Sequence, residues 1–424
     1  MAVLEVAIDE AAHNVAHSVG PTGPCIVSFC GEASLLRLQL TTGVGTPLLR
    51  SVYSAGACRL PPSRTLMMRS AEKTKMEAED LTCISVALDW TPNTNHVGLY
   101  VAKALKYYRE VGLKVDLISP HLDNYSTTPA FKVSSKSATF ALGPSETVIG
   151  HHLPPSSPTR EKLVAIATVL QQDISAIATL KGSNISRPRE LDGKTYASYA
   201  ARFEGRIVQH LIQADGGKGL FTEIAPDKLG IWNVLLSGKA DATWIFSAWE
   251  GVEAKQKQVE LNEFRLADYG IPYGYSPVVF VHPDTLKAYP DVVRRFLRAT
   301  AKGYTYSAAN IDKASLILCE TANEENPTCV DPLDPFMVLA SMNYLSTHLL
   351  DKEGNWGLMD PNRWQKFLDW LSAEGILTTL IPSRNPVIGL SASLNDLRDG
   401  NSGDLIQASG IRVDDLFTND HLAH

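Results

Sequence analysis

The chain has 424 residues, of which 44% are hydrophobic and 20% charged, and its formal net charge is −7 at pH 7. This length gives room for two or three domains of ordinary globular composition. The acidic balance argues against a nucleic-acid binder that works through bulk attraction to phosphate. No apolar run approaches the roughly 20 residues that span a bilayer. Six cysteines are scattered without metal-binding spacing, which favours a reducing compartment and predicts no metal site.

Residues 1–82 are predicted to form a poorly ordered extension that carries no site. The first ten residues include three acids, where a secretory signal would be basic and then apolar. Residues 33–71 contain arginines and no acid, as a mitochondrial transit segment does, but they follow the acidic stretch. A start codon at Met67 or Met76 explains the extension equally well. We therefore expect a cytoplasmic protein, with a mitochondrial location as the alternative.

Residues 84–98 combine a short strand, a polar loop and the start of a helix. Ile84, Val86 and Leu88 alternate as in a buried strand, and a helical period resumes at Val97. The end of a strand that leads into a helix is a common ligand site, because free N–H groups point outward there. The alternative is that the tryptophan packs in the core and the asparagines only form turns. The candidate ligand-binding residues of this loop are Trp90, Asn93, Asn95 and His96.

Three segments carry a resemblance to a known family. They are DWTPNTNHVGLYVAK (89–103), YYREVGLKVDL (107–117) and WEGVEA (249–254). The chain resembles the SsuA-like and thiamine pyrimidine synthase family over residues 83–375, and especially its bacterial receptors for formylaminopyrimidine. This resemblance implies an α/β, periplasmic-binding-protein-like (type II) fold with two lobes and a ligand cleft between them. It also implies a place in thiamine-pyrimidine metabolism.

Alternating strands and helices, with a return to the first lobe late in the chain, predict how the lobes divide. We expect the chain to cross between lobes near residues 177–182 and 269–277. The segment beyond residue 376 is rich in Ser, Asp, Asn and Gly, which predicts a mobile tail. The expected units are 83–180 plus 276–375 as lobe one, 181–275 as lobe two and 376–424 as the tail.

Three further segments supply candidates. Ser145 and Glu146 follow a short strand and open a helix, which is where open α/β sheets bind ligands, although capping of the helix explains both residues as well. Tyr199 follows a strand of the second lobe, near Arg202, which either donates to an anion or lies on the surface. Tyr273 lies in a Gly- and Pro-rich crossing between the lobes.

Trp249 and Glu250 begin WEGVEA, the third segment that carries the resemblance. A tryptophan offers a flat surface to a heteroaromatic ring, and a carboxylate accepts from an amino group or binds a protonated ring nitrogen. The alternative is that the tryptophan is core and the glutamate caps a helix. Because the resemblance places this pair on the cleft, we expect it to bind an aminopyrimidine such as 4-amino-5-hydroxymethyl-2-methylpyrimidine (HMP) or its formylamino form.

His151 and His152 precede a proline-rich stretch and invite a metal or catalytic interpretation. Adjacent helical residues point in different directions, and the prolines indicate an exposed loop. Without an acid or cysteine at ligand spacing, we predict that both histidines lie in a solvated loop.

The resemblance leaves a synthase as the alternative function. Fungal relatives make HMP phosphate from pyridoxal phosphate and a histidine of their own, with iron and a cysteine-rich stretch. The segment that matches their lysine–histidine pair, 143–148, has neither residue, and 269–277 has no cysteine. The nearest lysines in sequence are Lys136 and Lys181. We therefore expect binding, with no catalytic residue and no cofactor; pyridoxal phosphate and iron apply only to the synthase. A sulfonate or other small anion held by Arg202 is the third possibility. The expected partner is a small molecule, and a homodimer stays open.

Overall fold

Two five-stranded mixed sheets form the centre of the protein. The computed structural model describes residues 81–153, 162–327, 332–382 and 391–422. Residues 1–80, which make up most of the predicted extension, lie outside the described residues.

The first sheet has the strand order β2-β1-β3-β10-β4. Its β1 pairs in parallel with β2 and β3, whereas β10 is antiparallel to β3 and β4. Alternating Ile84, Val86 and Leu88 are buried, as the period-2 pattern predicts. The strands are β1 (Thr82–Ala87), β2 (Leu113–Ile118), β3 (Phe140–Gly143), β4 (Val164–Thr168) and β10 (Val278–Val281).

The second sheet has the order β7-β6-β8-β5-β9. Here β6 is parallel to β7 and β8, and β5 is antiparallel to β8 and β9. These strands are β5 (Ser175–Leu180), β6 (Thr195–Ala197), β7 (Thr222–Ile224), β8 (Ala242–Phe246) and β9 (Leu261–Phe264). A two-residue pair, β11 (Ile381–Pro382) with β12 (Ser391–Ala392), lies near the C-terminus.

Helices follow most strands, in the order that the sequence periodicity indicates. Those up to β9 are α1 (Val97–Ala104), α2 (Tyr107–Glu110), α3 (Pro129–Ser134), α4 (Ser145–His152), α5 (Glu204–Ala214), α6 (Ile231–Leu236) and α7 (Glu250–Gln256). Those after β10 are α8 (Pro283–Ala288), α9 (Pro290–Ala309), α10 (Ile311–Glu325), α11 (Pro335–Leu345), α12 (Pro361–Ala373), α13 (Leu394–Arg398) and α14 (Val413–Leu416). None of the helices in these described ranges is long and apolar enough to cross a membrane.

A close contact between α1 and α9 fixes the loop that precedes α1. A Cβ on Gly303 would lie 2.1 Å from the carbonyl oxygen of Gly98, so only glycine allows the two backbones to approach this closely. The ring of Tyr304 covers Gly98, and its hydroxyl donates to the Asn95 carbonyl over 2.7 Å. The polar loop is thereby attached to a long helix of the same core.

Two segments connect the sheets, one between β4 and β5 and one between β9 and β10. Arg363 of α12 donates to a carbonyl in each of them, Gln171 and Gly274, over 2.6 Å in both cases. The sequence assigns residues up to 180 to lobe one, but β5 pairs within the second sheet. A buried apolar strand carries no signal of which sheet it joins, and this explains the difference.

The described part of the C-terminal segment packs on both sheets, which differs from the mobile tail that its composition predicts. Arg398 forms an ion pair with Glu223 of β7, and both side chains are almost completely buried. Further along, the Thr418 amide donates to the Ala165 carbonyl of β4 over 2.9 Å, and Leu416 is fully buried. Composition cannot detect such packing, since it depends on a few apolar and charged side chains in a polar segment.

Candidate functional site

A cavity of about 310 Å³ is lined by residues that follow strands of both sheets. Two of the ten residues predicted to bind ligand, His96 and Ser145, do not line it. The other eight do, and they come from five loops or helix starts: Trp90, Asn93, Asn95, Glu146, Tyr199, Trp249, Glu250 and Tyr273.

His96 lies behind the cavity, where it holds the loop in shape. Its Nδ1 accepts from the Asn93 amide over 3.2 Å, so Nε2 carries the proton and donates to Asp89 over 2.8 Å. The Asn93 side chain in turn accepts from the Asn95 amide over 2.9 Å. The histidine is fully buried. Its predicted contact with ligand is therefore corrected to an indirect role, in which it positions Asp89, a residue that does line the cavity.

Ser145 is excluded from the cavity by its close packing. Its amide donates to the Tyr275 carbonyl over 2.8 Å, and its hydroxyl lies 2.2 Å from where a Cβ on Gly274 would be. The serine side chain thus packs against the segment between β9 and β10, and its predicted ligand contact is replaced by a structural one. Its neighbour Glu146 points into the cavity, because consecutive helical residues diverge by about 100°.

Aromatic rings form the walls of the cavity. Trp90 meets Tyr199 edge to face, with ring centroids 5.4 Å apart, and lies 5.9 Å from the ring of Tyr125. At the other side, Trp244 and Tyr273 are 5.2 Å apart. All five rings, together with Trp249, line the cavity. Such a lining suits a flat, heteroaromatic ligand.

Glu146 is buried at the first turn of α4, and its Oε2 has no hydrogen-bond partner among the described residues. Burial raises the pKa of Glu146 to about 8, and the nearby carboxylate of Glu204 adds to the rise. Burying a hydrogen-bond acceptor without a donor costs free energy. A ligand that donates a hydrogen bond to this oxygen would remove that cost.

Glu204 begins α5, and its hydrogen bonds lie within its own lobe. One oxygen accepts from the Tyr196 hydroxyl over 2.7 Å and the Tyr199 amide over 3.1 Å, and the other accepts from the Ala201 amide over 3.1 Å. Burial raises the pKa of Glu204, while these donors oppose the rise. The residue lines the cavity; the sequence offers it beside Tyr199 and Arg202 as a candidate, although it is outside the ten residues predicted to bind ligand. Its place at a helix start after a polar loop is the signal that could have identified it.

Glu250 is the third buried carboxyl of the cavity. It starts α7 and accepts from the Phe246 amide over 2.9 Å, and burial raises its pKa to about 7. Glu250 therefore also has the capping role that the sequence offers as the alternative, because its side chain binds the backbone just before its helix. The same side chain lines the cavity.

Three basic side chains also line the cavity, namely Lys228, Arg202 and His151. The Lys228 amine lies 4.5 Å from the ring centroid of Tyr125, and the Arg202 guanidinium donates to the Thr378 carbonyl over 2.8 Å. His151 is buried in the last turn of α4, so the prediction of a solvated loop is wrong for this residue. Lys228 has no local sequence signal, because it lies in an ordinary polar turn, two residues after Pro226.

The two lysines considered from sequence lie elsewhere, on the surface. Lys136 pairs with Asp284 over 2.7 Å, and Lys181 pairs with Glu260 over 3.1 Å. Across the described ranges, no three His, Cys, Asp or Glu side chains are grouped as metal ligands.

Comparisons with known proteins were made for the sequence and for the structure. The family model described as NMT1/THI5 like matches residues 93–314, just over half of the chain. A formylaminopyrimidine-binding protein from Halalkalibacterium halodurans is 25% identical, covering 71% of this chain and 88% of that protein. A 4-amino-5-hydroxymethyl-2-methylpyrimidine phosphate synthase from Legionella pneumophila is 21% identical, covering 64% and 83%.

Solved structures show the same fold. A protein from Bordetella bronchiseptica has a TM-score of 0.56 at 14% identity, with 81% of this chain and 96% of that chain covered. The alkanesulfonate-binding protein SsuA from Xanthomonas axonopodis pv. citri, bound to MOPS, has a TM-score of 0.52 at 11% identity, covering 73% and 98%. The family and the α/β binding-protein fold that the resemblance implies are confirmed.

Proposed function

The chain belongs to the NMT1/THI5-like family, and on this premise we propose that its cavity binds an aminopyrimidine of the thiamine type, such as HMP or its formylamino form. The observation that carries the proposal is the combination of aromatic walls and buried carboxyls in one cavity. Trp90 and Trp249 supply surfaces for a flat ring, and Glu250 supplies an acceptor for its amino group.

The size of the cavity supports a ligand of this kind. Its volume of about 310 Å³ lies at the lower end of small-molecule sites, and a single substituted pyrimidine is small enough to fit within it. The formylaminopyrimidine-binding relative points to the same ligand class. Binding of this kind needs no cofactor.

Synthesis of HMP phosphate is the second candidate, because Lys228 and His151 both line the cavity. A lysine amine in a cleft is what covalent chemistry with an aldehyde requires. The described residues contain no grouped set of iron ligands, so no step through iron is assigned to them. Added pyridoxal phosphate tests this candidate: a change in its absorbance that Lys228→Met abolishes, followed by consumption of a histidine with iron, would favour synthesis.

An anionic ligand fits the cavity less well. Asp89, Glu146, Glu204 and Glu250 line it, and four acids outnumber the basic groups there. Arg202, which the sequence offers as the anion donor, already donates to a backbone carbonyl. A sulfonate would also enter a partly desolvated space beside Glu204, whose three hydrogen-bond donors favour its charged form, and like charges oppose this.

Mass spectrometry of small molecules released from the purified protein tests the proposed function. We expect a thiamine-type pyrimidine in protein purified without added ligand, and little of it in a Trp90→Ala variant purified in the same way. Release of pyridoxal phosphate or a sulfonate in its place would contradict the proposal.

A further inference from the structure

Glu146 and Glu204 come from different sheets and face the same cavity. Glu146 lies in the first turn of the helix that follows β3, and Glu204 begins the helix that follows β6. The two carboxyls are close enough for the charge of Glu204 to disfavour ionisation of Glu146. The two carboxyls differ in the hydrogen bonds that they accept, and from this difference we infer different roles for them.

Hydrogen-bond donors of its own lobe bind both carboxylate oxygens of Glu204. A hydroxyl and two backbone amides, from Tyr196, Tyr199 and Ala201, bind its two oxygens. Three donors to one carboxyl favour its charged form. Glu146 has the opposite surroundings: its side chain is 3% exposed, and no described residue binds its Oε2. Of two close carboxyls, the one with a buried oxygen that lacks a donor keeps its proton to higher pH.

We propose that Glu146 binds the pyrimidine as a neutral carboxylic acid and that Glu204 is a positioning residue that keeps it neutral. The assignment rests on the proposed function. A protonated carboxyl presents one O–H donor beside one carbonyl acceptor. A 4-aminopyrimidine presents the complement, a ring nitrogen that accepts beside an amino group that donates. The pair forms two parallel hydrogen bonds, and an ionised Glu146 can form only one of them.

The other charged and titratable groups around Glu146 are consistent with this assignment. Tyr273 lines the cavity from the segment between β9 and β10, and burial raises its pKa, so it stays neutral. Arg202 packs against Gly150 of the same helix, one turn from Glu146, and donates to the Thr378 carbonyl. His151 lies at the far end of that helix. Burial raises the pKa of Glu146 to about 8, and the nearby carboxylate of Glu204 adds to the rise.

Calorimetric titration with HMP, from roughly pH 6 to pH 10, tests the assignment. Glu146→Gln carries an amide that donates and accepts as the neutral acid does, so it should keep the affinity at pH 7 within about threefold. Wild-type protein should lose up to about tenfold in affinity for each pH unit above the pKa of Glu146, until the affinity of the ionised form with its single hydrogen bond is reached. Glu146→Gln should not show this loss. Glu250 is present in both proteins, so the difference between their pH profiles of affinity comes from Glu146.

Three further proteins complete the experiment. Glu146→Leu removes both hydrogen bonds and should weaken binding about 10- to 100-fold at pH 7. Glu204→Gln should move the loss of affinity to lower pH, which a purely structural role would not do. Glu110→Gln changes an exposed carboxylate on α2 and should match wild type. Thermal unfolding of each variant confirms that it is folded.

Each outcome separates this inference from the proposed function. If wild-type protein does not bind HMP at any pH, the proposed function fails. If wild type binds but Glu146→Gln is as weak as Glu146→Leu, Glu146 acts as a charged acceptor and the inference is overturned. The inference is also overturned if Glu146→Gln keeps the wild-type pH profile, while the proposed function stands in both cases.

Discussion

Trp90 and Tyr199 meet edge to face across the cavity, with ring centroids 5.4 Å apart. Trp90 follows β1 of the first sheet, and Tyr199 follows β6 of the second, so the contact joins the two halves of the site. Both rings are partly exposed to the cavity. A ligand that lies against both rings would therefore contact residues that follow strands of both sheets.

The first prediction concerns the tryptophan of this pair. Trp90→Ala should weaken HMP binding by about 1–3 kcal/mol, roughly 5- to 150-fold, because a base-like ring loses its stacking surface. Fluorescence or calorimetric titration measures the change. Trp232→Ala, on α6 and outside the cavity lining, is the matched control and should bind normally. Equal affinity of the Trp90 variant and wild type would show that the ring does not contact the ligand.

The second prediction concerns Glu250. Glu250→Gln should weaken HMP binding by about 1.5–3 kcal/mol, because the amino group of the ligand loses a charged acceptor. Glu253→Gln, on the same helix and paired with Lys257, is the control. If the two variants bind alike, Glu250 serves only to bind the Phe246 amide.

The third prediction concerns stability against pH. Burial raises the pKa of Glu146 from 4.5 to about 8, so the folded state binds more protons than the unfolded state between these values. The free energy of unfolding should therefore fall as pH rises through this window, by up to about 1.4 kcal/mol per unit from this residue.

Denaturant unfolding across this pH range measures the effect. Glu146→Gln should show a flatter decline than wild type, because an amide does not titrate. Glu250 contributes in the same direction in both proteins, since burial also raises its pKa, to about 7. Glu110→Gln should follow the wild-type curve. Parallel curves for wild type and Glu146→Gln would mean that Glu146 is not buried in the ligand-free protein.

The fourth prediction concerns the C-terminal segment. Arg398→Met leaves the carboxyl of Glu223 buried without its partner and should cost about 3–5 kcal/mol of unfolding free energy. Adding Glu223→Met should recover most of this loss, because the uncompensated charge is removed. Lys302→Met breaks an exposed pair with Glu110 and should cost less than about 1 kcal/mol. If the two single variants cost the same, the segment is not part of the folded core.

The sequence predicts the parts of the site that follow directly from local pattern. Trp90, Asn93 and Asn95 lie in a polar loop after an alternating strand, and Glu250 begins a helix after another strand, so their nearness to a cleft can be predicted. The direction of each side chain cannot. His96 points away from the cavity because its two ring nitrogens form hydrogen bonds within the loop. Ser145 points away because its side chain packs against Gly274, in the segment between β9 and β10.

Long-range contacts explain the residues that sequence reasoning misses. Lys228 reaches the cavity through the arrangement of the second sheet, which no short motif encodes. The packing of the C-terminal segment depends on Arg398 meeting Glu223, 175 residues earlier in the chain. The exact division of the chain into lobes stays a prediction, as do the roles of the residues that line the cavity.

Calorimetric titration of the wild-type protein with HMP, beside the same titration with an alkanesulfonate, tests the central claim most directly. We predict that HMP binds with one site per chain and that the sulfonate does not bind measurably, because aromatic walls and buried carboxyls suit a flat ring with an amino group rather than an anion. Binding of the sulfonate without binding of HMP would contradict the account.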